Sequence, residues 1–136
     1  MQTFLPYSNY RQSMSVLDPS RLGNQVYREG LTILRGGWKH HPASKMWAAH
    51  RHQLISYLLD GLIELEKRGK FYPHIRGEIY DLSEEIPQEE WAIPPWLGDP
   101  DFHASHRSNL LRKDPEWYGQ FGWIEPDNLP YVWPVR

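Results

Sequence analysis

A glutamate set into an apolar stripe is the residue of this sequence best placed for proton transfer. Leu22, Val26, Glu29 and Ile33 recur at helical spacing and so share one face. A carboxylate drawn among apolar side chains is partly withdrawn from water, an environment that suits acid or base work near neutrality. Beside it runs a second stripe, Arg21, Gln25, Arg28, Thr32 and Arg35, which bears three cations and no acid. Together the two stripes read as a carboxylate beside a phosphate-clamping edge. The same spacing also fits a glutamate at the core boundary, paired with Arg28 or with a base elsewhere.

Further groups with chemical potential lie along the chain. His40, His41, His50 and His52 fall in the run HHPASKMWAAHRH, whose spacing matches no familiar ligand pattern. His50 and His52, two apart on a helix, point away from each other. Solvated or phosphate-facing roles fit them better than a metal, and no cofactor is implied. His103, His106, Arg107, Arg112 and Lys113 form a second basic cluster. It reads either as a second strip of phosphate contacts or as a solvated helix end. The motif PEWYGQFGW places Trp117 and Tyr118 near Arg112 and Lys113, and rings beside cations can hold unstacked bases. Trp123 and Trp133 read instead as core. Nothing matches a P-loop, a dinucleotide fingerprint or a serine nucleophile elbow.

These residues need helices to position them. Asp18-Pro19 is a cap-plus-proline start, and Gly36-Gly37 is a stop, which predicts a helix over 19–35. Met46, Trp47, Leu54, Ile55, Leu58, Leu59, Leu62, Ile63 and Leu65 predict a long helix over 43–68. Gly61 inside it predicts a close helix–helix contact or a bend. Residues 75–84 allow a short helix. Asp99-Pro100 repeats the start signal and predicts a third main helix over 100–112. Residues 1–17 show no strong helical period and read as an ordered arm, with Tyr7 and Tyr10 as anchors. The expected class is all-α: a single compact domain, residues 1–136, of three main helices with long ordered N- and C-terminal arms.

Composition bounds the function. The chain has 136 residues, no cysteine, 14 % aromatics and twelve prolines. Without cysteine, a disulfide scaffold and thiol catalysis are excluded. No long apolar run or secretory layout is present, so the expectation is a cytoplasmic protein without a membrane span. The net charge is −2, yet it is segregated. Residues 1–76 carry 11 basic and 5 acidic side chains, whereas residues 77–104 carry 8 acids and no Lys or Arg. Such a chain can present a basic face to nucleic acid while staying near neutral.

Three patches, in order, then carry a resemblance. Tyr27-Arg28-Glu29, Ile86-Pro87-Gln88-Glu89, and Pro115 with Trp117, Tyr118, Phe121 and Gly122 resemble motifs of the pyrimidine-dimer DNA glycosylases of the bacteriophage endonuclease V type. Lys67-Arg68-Gly69 resembles the end of that family's long middle helix. The likeness spans about residues 15–122, and PPWLGDPDFHASHRSNLLRKDP looks closer still to a phage and bacterial branch. The resemblance implies a DNA repair glycosylase with AP lyase activity. It would act, without cofactor and as a monomer, on damaged pyrimidines such as cyclobutane dimers in double-stranded DNA. In the family an N-terminal amine attacks C1′, an imine forms, and β-elimination cuts the strand. The matching glutamate is Glu29. The family's nucleophile is a Thr amine exposed by loss of the initiator Met. Here Gln2 is too large for ordinary excision, so the Met1 amine is the expected nucleophile, within a few ångströms of Glu29. Thr32 stands where the family's clamp carries another arginine. The implied DNA contacts are Arg21, Gln25, Arg28, Arg35, His106, Arg107, Arg112, Lys113, Trp117 and Tyr118. A non-catalytic DNA-binding protein of the same fold and a phage DNA base-modification enzyme are the alternatives.

Overall fold

Asp18 and Pro19 start a helical rod whose middle turn is wider than an α-helix. In the computed structural model, which describes residues 1–135, the Asp18 carboxylate accepts from the Arg21 N–H and Pro19 is the first helical residue. Helix α2 (Pro19–Asn24) runs into a π-helical turn (Gln25–Gly30) and then into α3 (Leu31–Leu34). Glu29 therefore sits on the π turn, a distortion that often accompanies function. Gly30 makes the turn compatible with its neighbour. A Cβ there would lie 2.3 Å from Leu58 Cδ2 and 2.5 Å from the Gln25 carbonyl oxygen.

The described residues are helical, without strands. The expected three-helix layout needs correction, because the rods are more numerous and shorter. An early helix, α1 (Tyr10–Val16), is capped by Asn9 and buries Met14 against the spine. The long helix expected over 43–68 is two helices, α4 (Pro42–Trp47) and α5 (Arg51–Lys67). The break at Ala48–His50 is set by tertiary contacts. Trp47 is fully buried edge-on to Trp96, and its indole N–H donates to Thr3 Oγ1 at 3.0 Å. Just beyond the break, Arg51 makes a bidentate pair with Glu90 at 2.6–2.7 Å. Helix α6 (Pro73–Ser83) packs on α5, and α7 (Pro100–Lys113) begins at an Asp99 cap. A short α8 (Pro115–Tyr118) leads into the C-terminal arm.

Helix α7 carries an unusually polar buried face, and this explains how the arm is held. Asn109 Nδ2 donates to the Leu129 carbonyl at 3.0 Å, the Leu129 N–H donates to Ser108 Oγ at 3.0 Å, and the Val132 N–H donates to Ser105 Oγ at 3.2 Å. Buried backbone groups of an arm need such partners. One hydrophobic cluster joins the arms to the helices.

Gly61 is the contact point expected of it. A Cβ at this position would lie 2.4 Å from Val26 Cγ2 and 2.8 Å from Met14 Cε. Gly61→Ala is expected to destabilise the fold by about 1–3 kcal/mol through overpacking. Urea denaturation checks this, and a variant as stable as the parent would mean that the interface has slack.

Candidate active site

The N-terminal arm is pinned to the π turn and to α7 by its own backbone. The Phe4 N–H donates to Gln25 Oε1 at 2.7 Å, and the Phe4 carbonyl accepts from the Tyr57 hydroxyl at 2.7 Å. The Leu5 N–H donates to His106 Nδ1 and the Leu5 carbonyl meets His103 Nδ1, each at 2.8 Å. The Gly98 N–H donates to the other nitrogen of His103, so His103 carries its proton on Nδ1 and donates it to Leu5. Arg107 donates to the Pro6 carbonyl at 2.6 Å. With residues 4–6 fixed this firmly, residue 1 is delivered to a set place.

That place is a polar cavity of about 250 Å³, lined among others by Met1, Gln2, Arg21, Glu29, Lys113 and Tyr131. Asn24 and Gln25 complete its wall on the side of α2. Glu29 is half-buried, makes no salt bridge among the described residues, and its Oε2 is buried without a hydrogen-bond partner among them. Met1 is also shared with a more open cleft lined by Gly36, Trp38, Lys39, His40 and His41. The His41 imidazole is held below its ordinary pKa by desolvation and then by the Met1 ammonium, while Glu29 pulls the other way. The amine and the carboxylate thus both act on this imidazole, in opposite directions. Trp38 is half-exposed at the same cleft with φ of 50°, strained for a residue with a side chain.

The cations divide into free and engaged. Arg28 is exposed and makes no salt bridge among the described residues. Lys113 is exposed at the cavity, its pKa lowered by partial desolvation and by Arg21 and Arg112 nearby. Arg21 and Lys113 therefore stand at the cavity, with Arg112 near Lys113. Arg21 also meets Asp18 at 3.1 Å, and Arg112 donates to Asn109 Oδ1. Arg35 is committed to Glu78 by two contacts of 2.5–2.6 Å, and Arg107 to Glu125 at 2.7 Å.

Several expected DNA contacts are instead part of the scaffold. His106 is fully buried, its pKa pushed down to about 3 by burial, so it cannot face a phosphate in this fold. Gln25 is 2 % exposed and clamps the arm. Tyr118 is fully buried, and its hydroxyl donates to Asp18 Oδ1 at 2.5 Å. Trp117 is half-buried, and its indole N–H donates to the Val16 carbonyl at 2.8 Å. Tyr118 and Trp117 thus brace the start of α2, and neither is a free platform for a base. Of the expected arm anchors, Tyr10 hydrogen-bonds Gln53 at 2.8 Å and Tyr7 receives the Trp123 indole N–H at 2.8 Å. Trp123 and Trp133 are half-buried against the core, as expected.

Gln2, Asn24 and Tyr131 enter the site without a motif to announce them. Gln2 sits next to the expected nucleophile, which is a signal of a kind. Tyr131 arrives from the far end of the chain, and nothing local marks it. Among the described residues no cluster of His, Asp and Glu has the geometry of a metal site, and no helix is long and apolar enough to cross a membrane. A family model described as pyrimidine dimer DNA glycosylase matches residues 1–78. No curated protein and no solved structure matches.

Proposed function

The chain belongs to the pyrimidine dimer DNA glycosylase family, and from that premise we propose that it releases damaged pyrimidines from duplex DNA and then cuts the strand as an AP lyase. The observation that carries this reading is the shared cavity of Met1 and Glu29, rimmed by Arg21 and Lys113. The protein works as one domain and as a monomer in the cytoplasm of a bacterial or infected cell. Its partner is double-stranded DNA, and the chemistry asks for no cofactor.

The reaction follows from the groups present. An α-amine has an ordinary pKa of about 7.7–8.0, so a useful fraction is neutral at physiological pH. Its lone pair forms the N–C1′ bond while the C1′–N1 bond breaks, and the bonding pair leaves with the base. The Glu29 carboxylate takes the proton that the amine nitrogen sheds. It returns that proton to O4′ as the sugar ring opens to the imine. It then accepts a C2′ proton, and the 3′ phosphate leaves by β-elimination. A carboxylate already bonded to an arginine would be a weaker proton carrier, which is why the lack of a salt bridge to Glu29 among the described residues supports this role.

Arg21, Arg28, Arg112 and Lys113 contact the phosphates. Arg28→Ala and Lys113→Ala are each expected to weaken binding to any duplex and to reduce the salt slope by about one. Arg35→Ala and Arg107→Ala should act on stability instead, since both side chains hold partners within the fold. Binding titrations at several salt concentrations decide it. Unchanged slopes for Arg28 and Lys113 would mean that DNA lies elsewhere.

Borohydride trapping on irradiated and on abasic duplexes, followed by mass mapping of the adduct, tests the whole reading. The expected adduct is on the Met1 amine. No adduct on either duplex would remove the imine mechanism.

A further inference from the structure

The cavity holds a second polar group that the proposed reaction does not yet use. Gln2 is 5 % exposed and lines the cavity beside Met1 and Glu29. Its Oε1 accepts from the Thr3 N–H at 3.0 Å, which fixes the orientation of the amide. Its Nε2, two hydrogen-bond donors, is buried with no partner among the described residues. Glu29 Oε2 in the same cavity is likewise unpartnered, so the two do not bond to each other. A buried donor left unpaired costs stability, and such a group in a cavity points to a ligand that completes it.

We propose that the Gln2 side-chain amide donates a hydrogen bond to O2 of the target pyrimidine and stabilises the base as it leaves. The inference rests on the glycosylase reading above. When C1′–N1 breaks, the bonding pair goes to N1 and spreads through C2 onto O2. Charge therefore develops on O2, and a fixed donor there is worth most in the transition state. Geometry favours O2 over other acceptors. It is the pyrimidine oxygen nearest C1′, and Gln2 is the residue next to the amine that attacks C1′. A phosphate is the poorer fit, because the Glu29 carboxylate shares the cavity wall and the cations stand at the rim. Gln2 keeps its protons throughout, and the departing base takes its proton from solvent. Gln2 thus serves twice, retaining Met1 by its bulk and holding the leaving group with its amide.

Two variants separate this role from a structural one. Gln2→Met keeps the length of the side chain and loses its donor without adding a charge beside Glu29, while Gln2→Leu loses the donor in a branched side chain. Both residues are large enough to retain Met1, which intact mass checks. Single-turnover base release from irradiated duplex is expected to fall by about 10²-fold in each. Strand cleavage at a preformed abasic site, where no base departs, should fall by a factor about tenfold smaller than base release does. Equal losses on both substrates, or no loss on irradiated DNA, would overturn the role of Gln2. If the parent protein releases no base from irradiated DNA while its abasic cleavage persists, the substrate reading fails and this inference falls with it.

Discussion

Glu29→Gln is expected to abolish base release, by about 10²–10⁴-fold, while duplex affinity stays within a few-fold. The substitution keeps the shape of the side chain and removes its charge and its ability to take a proton. Among the described residues no salt bridge depends on that charge, and Glu29 Oε2 is a buried oxygen with no partner there. Stability should therefore stay level or rise, since an unpaired buried carboxylate oxygen is a cost to the native state. The pairing with Arg28 that spacing also allowed makes the opposite forecast, a loss of stability with activity spared. Single-turnover kinetics on irradiated duplex, run beside thermal melts, distinguish the two. A variant that cleaves at the parent rate would return Glu29 to a structural role.

Local rules made the scaffold around Glu29 legible, while long-range pairing stayed hidden. Asp18-Pro19 and Asp99-Pro100 carried their helix starts, because a cap and a first-turn proline act within a few residues. Gly61 announced a close contact, since a glycine in an apolar helix face needs a reason. The break between α4 and α5 had no local breaker. It exists because Trp47 and Arg51 serve partners at Trp96 and Glu90. The π turn had no local signal either, although its Gly30 lies close against Leu58 of α5. His106 and Tyr118 misled for the same reason. A histidine on a basic helix and a tyrosine in an aromatic tail look like contact residues. Here they meet the Leu5 N–H and Asp18, each about a hundred positions away in the chain. The charge segregation also partly cancelled on folding, since Glu78 and Glu90 of the acidic stretch pair back to Arg35 and Arg51. Fewer cations are therefore unpaired than the sequence implied, while Arg21 and Lys113 line the cavity.

Blocking the N-terminus is expected to remove borohydride trapping and strand cleavage together, with duplex affinity within a few-fold of the parent. The force of this expectation comes from how the arm is held. Phe4 and Leu5 are bonded through their backbone to Gln25, Tyr57, His103 and His106. Gln2 and Thr3, between that clamp and Met1, are buried as well, and Thr3 Oγ1 accepts from the Trp47 indole N–H, so moving the Met1 amine means remaking these contacts. Acetylation delocalises the nitrogen lone pair into an amide, and no imine can form from it. A tag leaves an amine in the molecule but carries it out of the cavity. Trimming would also fail, because removal of Met1 draws the amine back by about 3.5 Å, the span of one extended residue. That displacement is large against the near-contact that attack on C1′ requires. Position, and not the mere presence of an amine, is therefore what the fold supplies. A native-terminus preparation and a tagged one, compared on abasic duplex, measure it directly. If the tagged protein cleaves at the full rate, the nucleophile is a side chain or a water molecule, and the lyase half of the proposed function is withdrawn while the glycosylase half is left to Glu29.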